Sequence, residues 1–166
     1  VLPSTLDDMR LVAEMEDGSI IKGESNIPES GKKIKRLFTE PAKCKPLEDT
    51  IIAIQEADII ILGPGSLYTS VIPNLLISDI SRAVSEAKAK KIYVCNIMTQ
   101  PGETDGFSVS DHIKTLIKHA KYEKINILSN FWTIFCNKNF IIFNYFVNFF
   151  ITNNFSFFIH ITTPHN

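Results

Sequence analysis

Residues 63–70, Gly63-Pro-Gly-Ser-Leu-Tyr-Thr-Ser70, place two glycines, a proline and three side-chain hydroxyls beside Tyr68 within a single turn. Gly63 and Gly65 permit backbone angles closed to other residues and leave room for a ligand to approach the main chain. Successive N–H groups in such a turn, near a helix start, form a concavity suited to a phosphate. Ser66, Thr69 and Ser70 add hydroxyl donors, and Pro64 stiffens the turn. The competing reading is a tight strand-to-helix connection whose hydroxyls serve only as caps, and the pattern alone leaves the two level.

A second loop, Met98-Thr-Gln-Pro-Gly-Glu-Thr104, offers Thr99, Gln100, Gly102 and Glu103, with groups able to read a sugar or a base. Taken without the first loop beside it, it reads better as a polar surface connection. Asn96, at a strand's end, either binds ligand or ties down the next turn. Asp111-His112 invites an acid–base role, but at a helix start the macrodipole accounts for Asp111. Lys32-Lys-Ile-Lys-Arg36 reads as a solvated strand face rather than an anion site. No nucleophile–base pair, metal triad or Walker loop occurs, so no catalytic or metal-ligating residue is assigned.

These loops need a scaffold. Arg10 to Glu16 alternates as a strand, Asp17-Gly18 is a hairpin turn, and Ser19 to Ser25 returns. Pro28 to Gly31 breaks the chain, and Lys33 to Phe38 alternates as a further strand. Pro46 to Ala57 reads as a helix with acids in its first turn. Asp58 to Leu62 reads as a strand, apolar after Asp58, which suits burial on both faces. Ser78 or Asp79 caps a helix running to about Ala89, and Lys91 to Ile97 is a second buried strand. Thr99 to Gly106 forms a loop, and Ser110 caps a helix through His119. The order strand, loop, helix, strand, loop, helix implies a right-handed crossover and parallel strands. Both loops then leave the carboxyl edge of the sheet, where open α/β sheets take their ligands.

Composition bounds the partners. The chain has 166 residues, enough for one ordinary domain. Its 17 basic and 18 acidic residues give a net charge of −1 with no long basic stretch, which argues against nucleic acid. Cys44, Cys95 and Cys136 are far apart and form no CxxC, so neither a disulfide framework nor a structural zinc is expected, and a reducing cytosol fits. The start has no basic-then-apolar signal segment, and Val at position 1 suggests a cut beginning.

The composition breaks near residue 120. All acidic residues lie at or before Glu123 and all glycines at or before Gly106. Ten of the twelve Phe fall after residue 125, where Lys138 is the sole charged residue. Residues 139–161 are long enough to span a membrane, but Asn139, Asn144, Asn148, Asn153 and Asn154 would place amides in hydrocarbon. A packed strand there would be flat and prone to aggregate. A shifted reading frame in AT-rich DNA near residues 120–126 explains the residue types and the abruptness together. Residues 121–166 are therefore read as a low-complexity tail outside the native fold, and residues 1–120 as a partial α/β domain. Reading the coding DNA downstream of codon 120 in its other frames tests this, and leaves a non-functional product of a disrupted gene as one alternative.

Gly63-Pro-Gly-Ser-Leu-Tyr-Thr-Ser-Val-Ile-Pro-Asn-Leu-Leu76, followed by Val94-Cys-Asn-Ile-Met-Thr-Gln-Pro-Gly-Glu-Thr104, resembles the YvcK-like gluconeogenesis factors, a branch of the CofD-like family. The hairpin Glu14 to Ser25 and Ser110-Asp-His112 fit the same group. The resemblance covers about residues 1–120. It implies a cytoplasmic protein whose fold class is α/β: a fragment of a Rossmann-like three-layer fold with a parallel βαβ unit and an N-terminal β-hairpin. It implies binding of a UDP-sugar, notably UDP-N-acetylglucosamine, and support of gluconeogenic growth, cell shape and wall synthesis. No catalytic activity is attached to that branch and no other cofactor is implied; a homo-oligomer of the full-length protein stays open. The other branch transfers a phospholactyl group from a nucleotide-activated donor to a deazaflavin alcohol and carries a shorter Gly-Pro-Ser-Asn type of turn. The family's opening Gly-Gly-Gly-Thr-Gly turn has no counterpart here, so the chain is expected to be an internal piece of a family member.

Overall fold

The computed structural model describes residues 1–96 and 98–120, together with two backbone strands at 131–137 and 140–142. An antiparallel sheet comes first. Strand β1 (Arg10–Met15) lies between β2 (Ile20–Lys22) and β3 (Ile34–Glu40). The Asp17-Gly18 turn closes β1 onto β2, with the Met15 N–H donating to Ser19 O at 2.9 Å and Gly18 at φ 84°. As the central strand, β1 buries Leu11, Val12, Ala13 and Met15. The Lys32–Arg36 face is solvated as expected: Lys35 and Arg36 pair with Glu14 at 2.7 and 2.5 Å, and Lys32 pairs with Asp17 at 2.8 Å. Exposed pairs of this kind add little stability.

Pro28 does not simply break the chain. It sits inside a one-turn helix, α1 (Asn26–Glu29), whose Ile27 is fully buried. Helix α2 (Glu48–Glu56) follows β3, with Glu48 and Asp49 at the positive end of its dipole and Thr50 and Ile54 facing the core.

The second sheet runs β4 (Ile59–Leu62), β5 (Lys90–Asn96), β6 (Phe131–Asn137) and β7 (Phe140–Ile142) in that order. Strands β4 and β5 are parallel, pairing Ile59 with Lys90 through Leu62 with Tyr93. The backbone of β6 adds in parallel to β5, and β7 turns back antiparallel. The remaining expectations for residues 121–166, most of the 139–161 span among them, lie outside the described residues, as does Ile97. Strand β4 is less buried than its apolar run predicts. Only Ile60 is buried, because among the described residues β4 is an edge strand paired on one side.

Between β4 and β5 the chain makes a π-helical turn at Leu67–Val71, a short helix α3 (Ile72–Leu75) and helix α4 (Ser78–Glu86). Helix α4 buries Ile80, Ala83 and Val84 and packs on α2. Its ends differ from the sequence expectation. The N-cap is Ile77, with no side-chain cap, while Asp79 instead pairs with Arg82 at 2.6 Å. The helix stops at Glu86 rather than Ala89, because Ala87 turns extended so that β5 can begin. The Lys91 ammonium donates to the Ala87 carbonyl there, a cation at the negative end of the dipole. Helix α5 (Val109–His119) is capped by Ser108, not Ser110. Asp111 closes a capping box by accepting the Ser108 N–H at 2.9 Å, while its own N–H donates to the Ser108 hydroxyl.

Candidate functional site

The two loops meet. At the end of β4, Gly63 adopts φ 91°, and a Cβ there would lie 2.8 Å from the Val94 carbonyl oxygen of β5. Only glycine tolerates both the angle and the approach, so the turn is pressed onto the neighbouring strand. Gly65 corrects the sequence expectation in part. Its φ is ordinary, and what it supplies is space, since a Cβ would come within 3.2 Å of the Ser70 Cβ. Asn96, at the end of β5, donates from Nδ2 to the Gly65 carbonyl at 3.0 Å. It therefore ties down the turn before it in sequence rather than the one after.

Between the two loops, the Ser66 hydroxyl donates to Gln100 Oε1 at 2.8 Å, and the Thr69 hydroxyl donates to Glu103 Oε1 at 2.9 Å. The Tyr68 N–H points at Glu103 Oε2 at 3.3 Å, and the Gln100 amide reaches Glu103 Oε1 at 3.3 Å. Gln100 is held by its own loop: its N–H donates to the Thr104 hydroxyl at 2.8 Å, and its carbonyl accepts from Glu103 and Thr104. Part of the turn's N–H set is already engaged. Pro64 has none, those of Ser70 and Val71 turn back to the Ser66 carbonyl, and that of Tyr68 faces Glu103.

Glu103 is 6% exposed, and among the described residues it is the only buried carboxylate and makes no ion pair. Burial pushes its carboxyl above the ordinary value, against the lowering pull of the Thr69 and Tyr68 hydrogen bonds. Pro64, Ser70 and Thr99 stand exposed at the rim. Gly102 sits elsewhere. At φ 79°, a Cβ on it would fall 2.2 Å from the Pro28 carbonyl oxygen, so it seats the second loop against helix α1, which links β2 to β3. Beneath the first turn, a cavity of about 70 Å³ is lined mainly by Ile54, Ile60, Leu62, Val71, Leu75 and Ile80 and reaches Gly63, Pro64 and Ser70.

Asp111 and His112 do not form an acid–base pair. The Ser108 hydroxyl and N–H hold the Asp111 carboxyl below its usual range. The buried His112 donates from Nδ1 to the Ser108 carbonyl at 2.9 Å and packs edge-on against Phe107. No group of three metal-ligating side chains occurs among the described residues. No helix among them is long and apolar enough to cross a membrane.

The family model for 2-phospho-L-lactate transferase CofD matches residues 1–154. The chain belongs to the CofD family. Family relatives named gluconeogenesis factor include one from Halalkalibacterium halodurans, 53% identical over 120 residues. Another, from Bacillus subtilis, is 55% identical over 119 residues. Each match covers 72% of this chain but only 37% and 38% of those relatives. A crystal structure of a UPF0052-family protein from Bacillus halodurans superposes with a TM-score of 0.70 at 52% identity, covering 72% of this chain and 39% of that one. The Rossmann-like α/β reading therefore stands at the level of the family.

Within the candidate site of this CofD-family chain, sequence reasoning missed two contributors. The Tyr68 backbone is one, hidden because a main-chain donor leaves no compositional trace; its ring is buried edge-on to Phe107 and His119. Thr104 is the other, and its hydroxyl was legible within the second motif but not its inward aim.

Proposed function

We propose that this chain contributes two loops to a UDP-sugar site in a cytoplasmic regulatory protein of gluconeogenic growth, cell shape and wall synthesis, with UDP-N-acetylglucosamine as the ligand. The observation that carries the reading is the meeting of Ser66 and Gln100 across the carboxyl edge of the parallel β4–β5 pair. That edge is where α/β sheets bind nucleotides. The glycine-tightened turn carries backbone and hydroxyl groups suited to a diphosphate, and the amide-bearing second loop meets it at the same sheet edge. Similarity to proteins named gluconeogenesis factor supports the metabolic side of the reading. Calorimetry with UDP-N-acetylglucosamine tests it. Changing Ser66 and Thr69 together to Ala should weaken binding by roughly tenfold or more, since each hydroxyl bond to a charged group contributes about 1.5–3 kcal/mol. Unchanged affinity removes both residues from the site.

The family description favours a second reading, a phospholactyl transferase. Incubation with a deazaflavin alcohol and a nucleotide-activated lactyl donor yields a phospholactyl product under that reading and none under the first.

A further inference from the structure

The donors in the first turn are already engaged. The Thr69 hydroxyl and the Tyr68 N–H converge on one carboxylate, that of Glu103, and the Gln100 amide joins them from the second loop. Neutral donors gathered around a buried anion, without a cation among the described residues, describe an oxyanion-binding arrangement. Here the protein fills it with its own side chain. Ser66 is engaged in the same way, by Gln100 rather than by an anion.

We infer that Glu103 is an internal placeholder, whose carboxylate occupies the position a ligand phosphate oxygen takes and must swing out before a diphosphate can bind. This rests on the diphosphate reading of the site. It adds a regulatory device to that reading: ligand binding and release of the Glu103 contacts are one event. The second loop is seated so that the swing leaves its backbone in place. Gly102 is wedged against the Pro28 carbonyl, and the Gln100 carbonyl holds the N–H groups of Glu103 and Thr104. Only the side-chain torsions of Glu103 have to turn. The rival account makes Glu103 a fixed cap of the turn, needed to shape the phosphate cradle.

The accounts separate in a titration of the whole chain with inorganic pyrophosphate, with UDP-N-acetylglucosamine, and with uridine, which carries no phosphate. The wild type is compared with Glu103→Gln, and NMR follows the Tyr68 amide and the Glu103 side-chain carboxyl carbon. A placeholder predicts that Glu103→Gln binds pyrophosphate and UDP-N-acetylglucosamine roughly tenfold more tightly, through removal of a like charge at contact distance, with a smaller change for uridine, which brings no phosphate. It also predicts that pyrophosphate moves the Tyr68 amide and Glu103 carboxyl signals of the wild type together, a readout independent of the variant. Weaker or equal pyrophosphate binding by Glu103→Gln, with an unmoved Glu103 signal in a wild type that does bind, overturns the placeholder and leaves the diphosphate reading standing. Binding by the variant alone supports the placeholder. Binding of pyrophosphate and of the sugar nucleotide by neither protein overturns both.

Discussion

The Ser66 hydroxyl lies 2.8 Å from the side-chain oxygen of Gln100, joining two loops 34 residues apart in sequence. Removing either partner alone should cost about 0.5–1.5 kcal/mol of stability, the ordinary worth of one such bond. The double variant Ser66→Ala/Gln100→Ala should cost less than the sum of the two, since the shared bond can be lost only once. Urea unfolding of the two singles and the double measures this. Strict additivity means the loops are not joined in solution.

The glycines should rank by what a methyl group would strike. Gly102→Ala meets the Pro28 backbone at 2.2 Å with φ 79°, and Gly63→Ala meets the Val94 carbonyl at 2.8 Å with φ 91°. Gly18 has a comparable φ of 84° but open space around it. Gly18→Ala should cost only the left-handed backbone penalty, about 1–2 kcal/mol. Gly63→Ala should cost more and Gly102→Ala most, because a backbone atom rather than a flexible side chain must move. Denaturation midpoints in that order check the packing, and equal costs for all three contradict it.

How much was legible divides along the range of the interaction. The hairpin turn at Asp17-Gly18, the parallel β4–β5 pair and the shared sheet edge follow from local pattern and the handedness of crossovers. The ends of α4 and α5 did not: α4 starts after Ile77 with no side-chain cap at all, and at α5 Ser108 and Ser110 both offered a hydroxyl and tertiary position made the choice. For α5, Ser108→Ala should lower stability by about 1 kcal/mol, whereas Ser110→Ala should stay within about 0.5 kcal/mol, being exposed and outside the cap. In the site, residue types were legible but pairing was not. Nothing in Gly102 announces that its neighbour is Pro28 rather than a ligand, and nothing in Glu103 announces that it faces the turn's own donors.

Glu103 should give stability a distinctive slope with pH. Its ordinary carboxyl value is 4.5, and burial raises it in the folded chain. The folded state therefore holds the proton to higher pH than the unfolded state does. Its contribution is fully present below 4.5 and is lost as pH climbs through the raised folded value. Glu103→Gln has no such proton to lose. The unfolding free energy of the variant minus that of the wild type should grow from pH 4.5 towards neutrality, measured by urea unfolding at a series of pH values. A flat difference would mean the carboxylate is well solvated.

His119 should act with the opposite sign. Its ring is buried edge-on to Tyr68 at 5.7 Å, Nδ1 donates to the Thr115 carbonyl at 2.8 Å, and among the described residues Nε2 has no partner. Burial lowers its proton affinity below the ordinary 6.5, so the unfolded chain takes up the proton first. Stability is retained above 6.5 and lost as pH falls through the window beneath it. His119→Phe keeps an aromatic edge against Tyr68 and removes the titration. It also relieves an unpaired buried nitrogen, worth about 1–3 kcal/mol, while losing one hydrogen bond of about 1 kcal/mol. The variant should therefore match or exceed the wild type at neutral pH and pull further ahead as the solution is acidified. Equal acid sensitivity of the two proteins would place the charging group elsewhere, and a clear loss at neutral pH would mean that Nε2 is paired in solution.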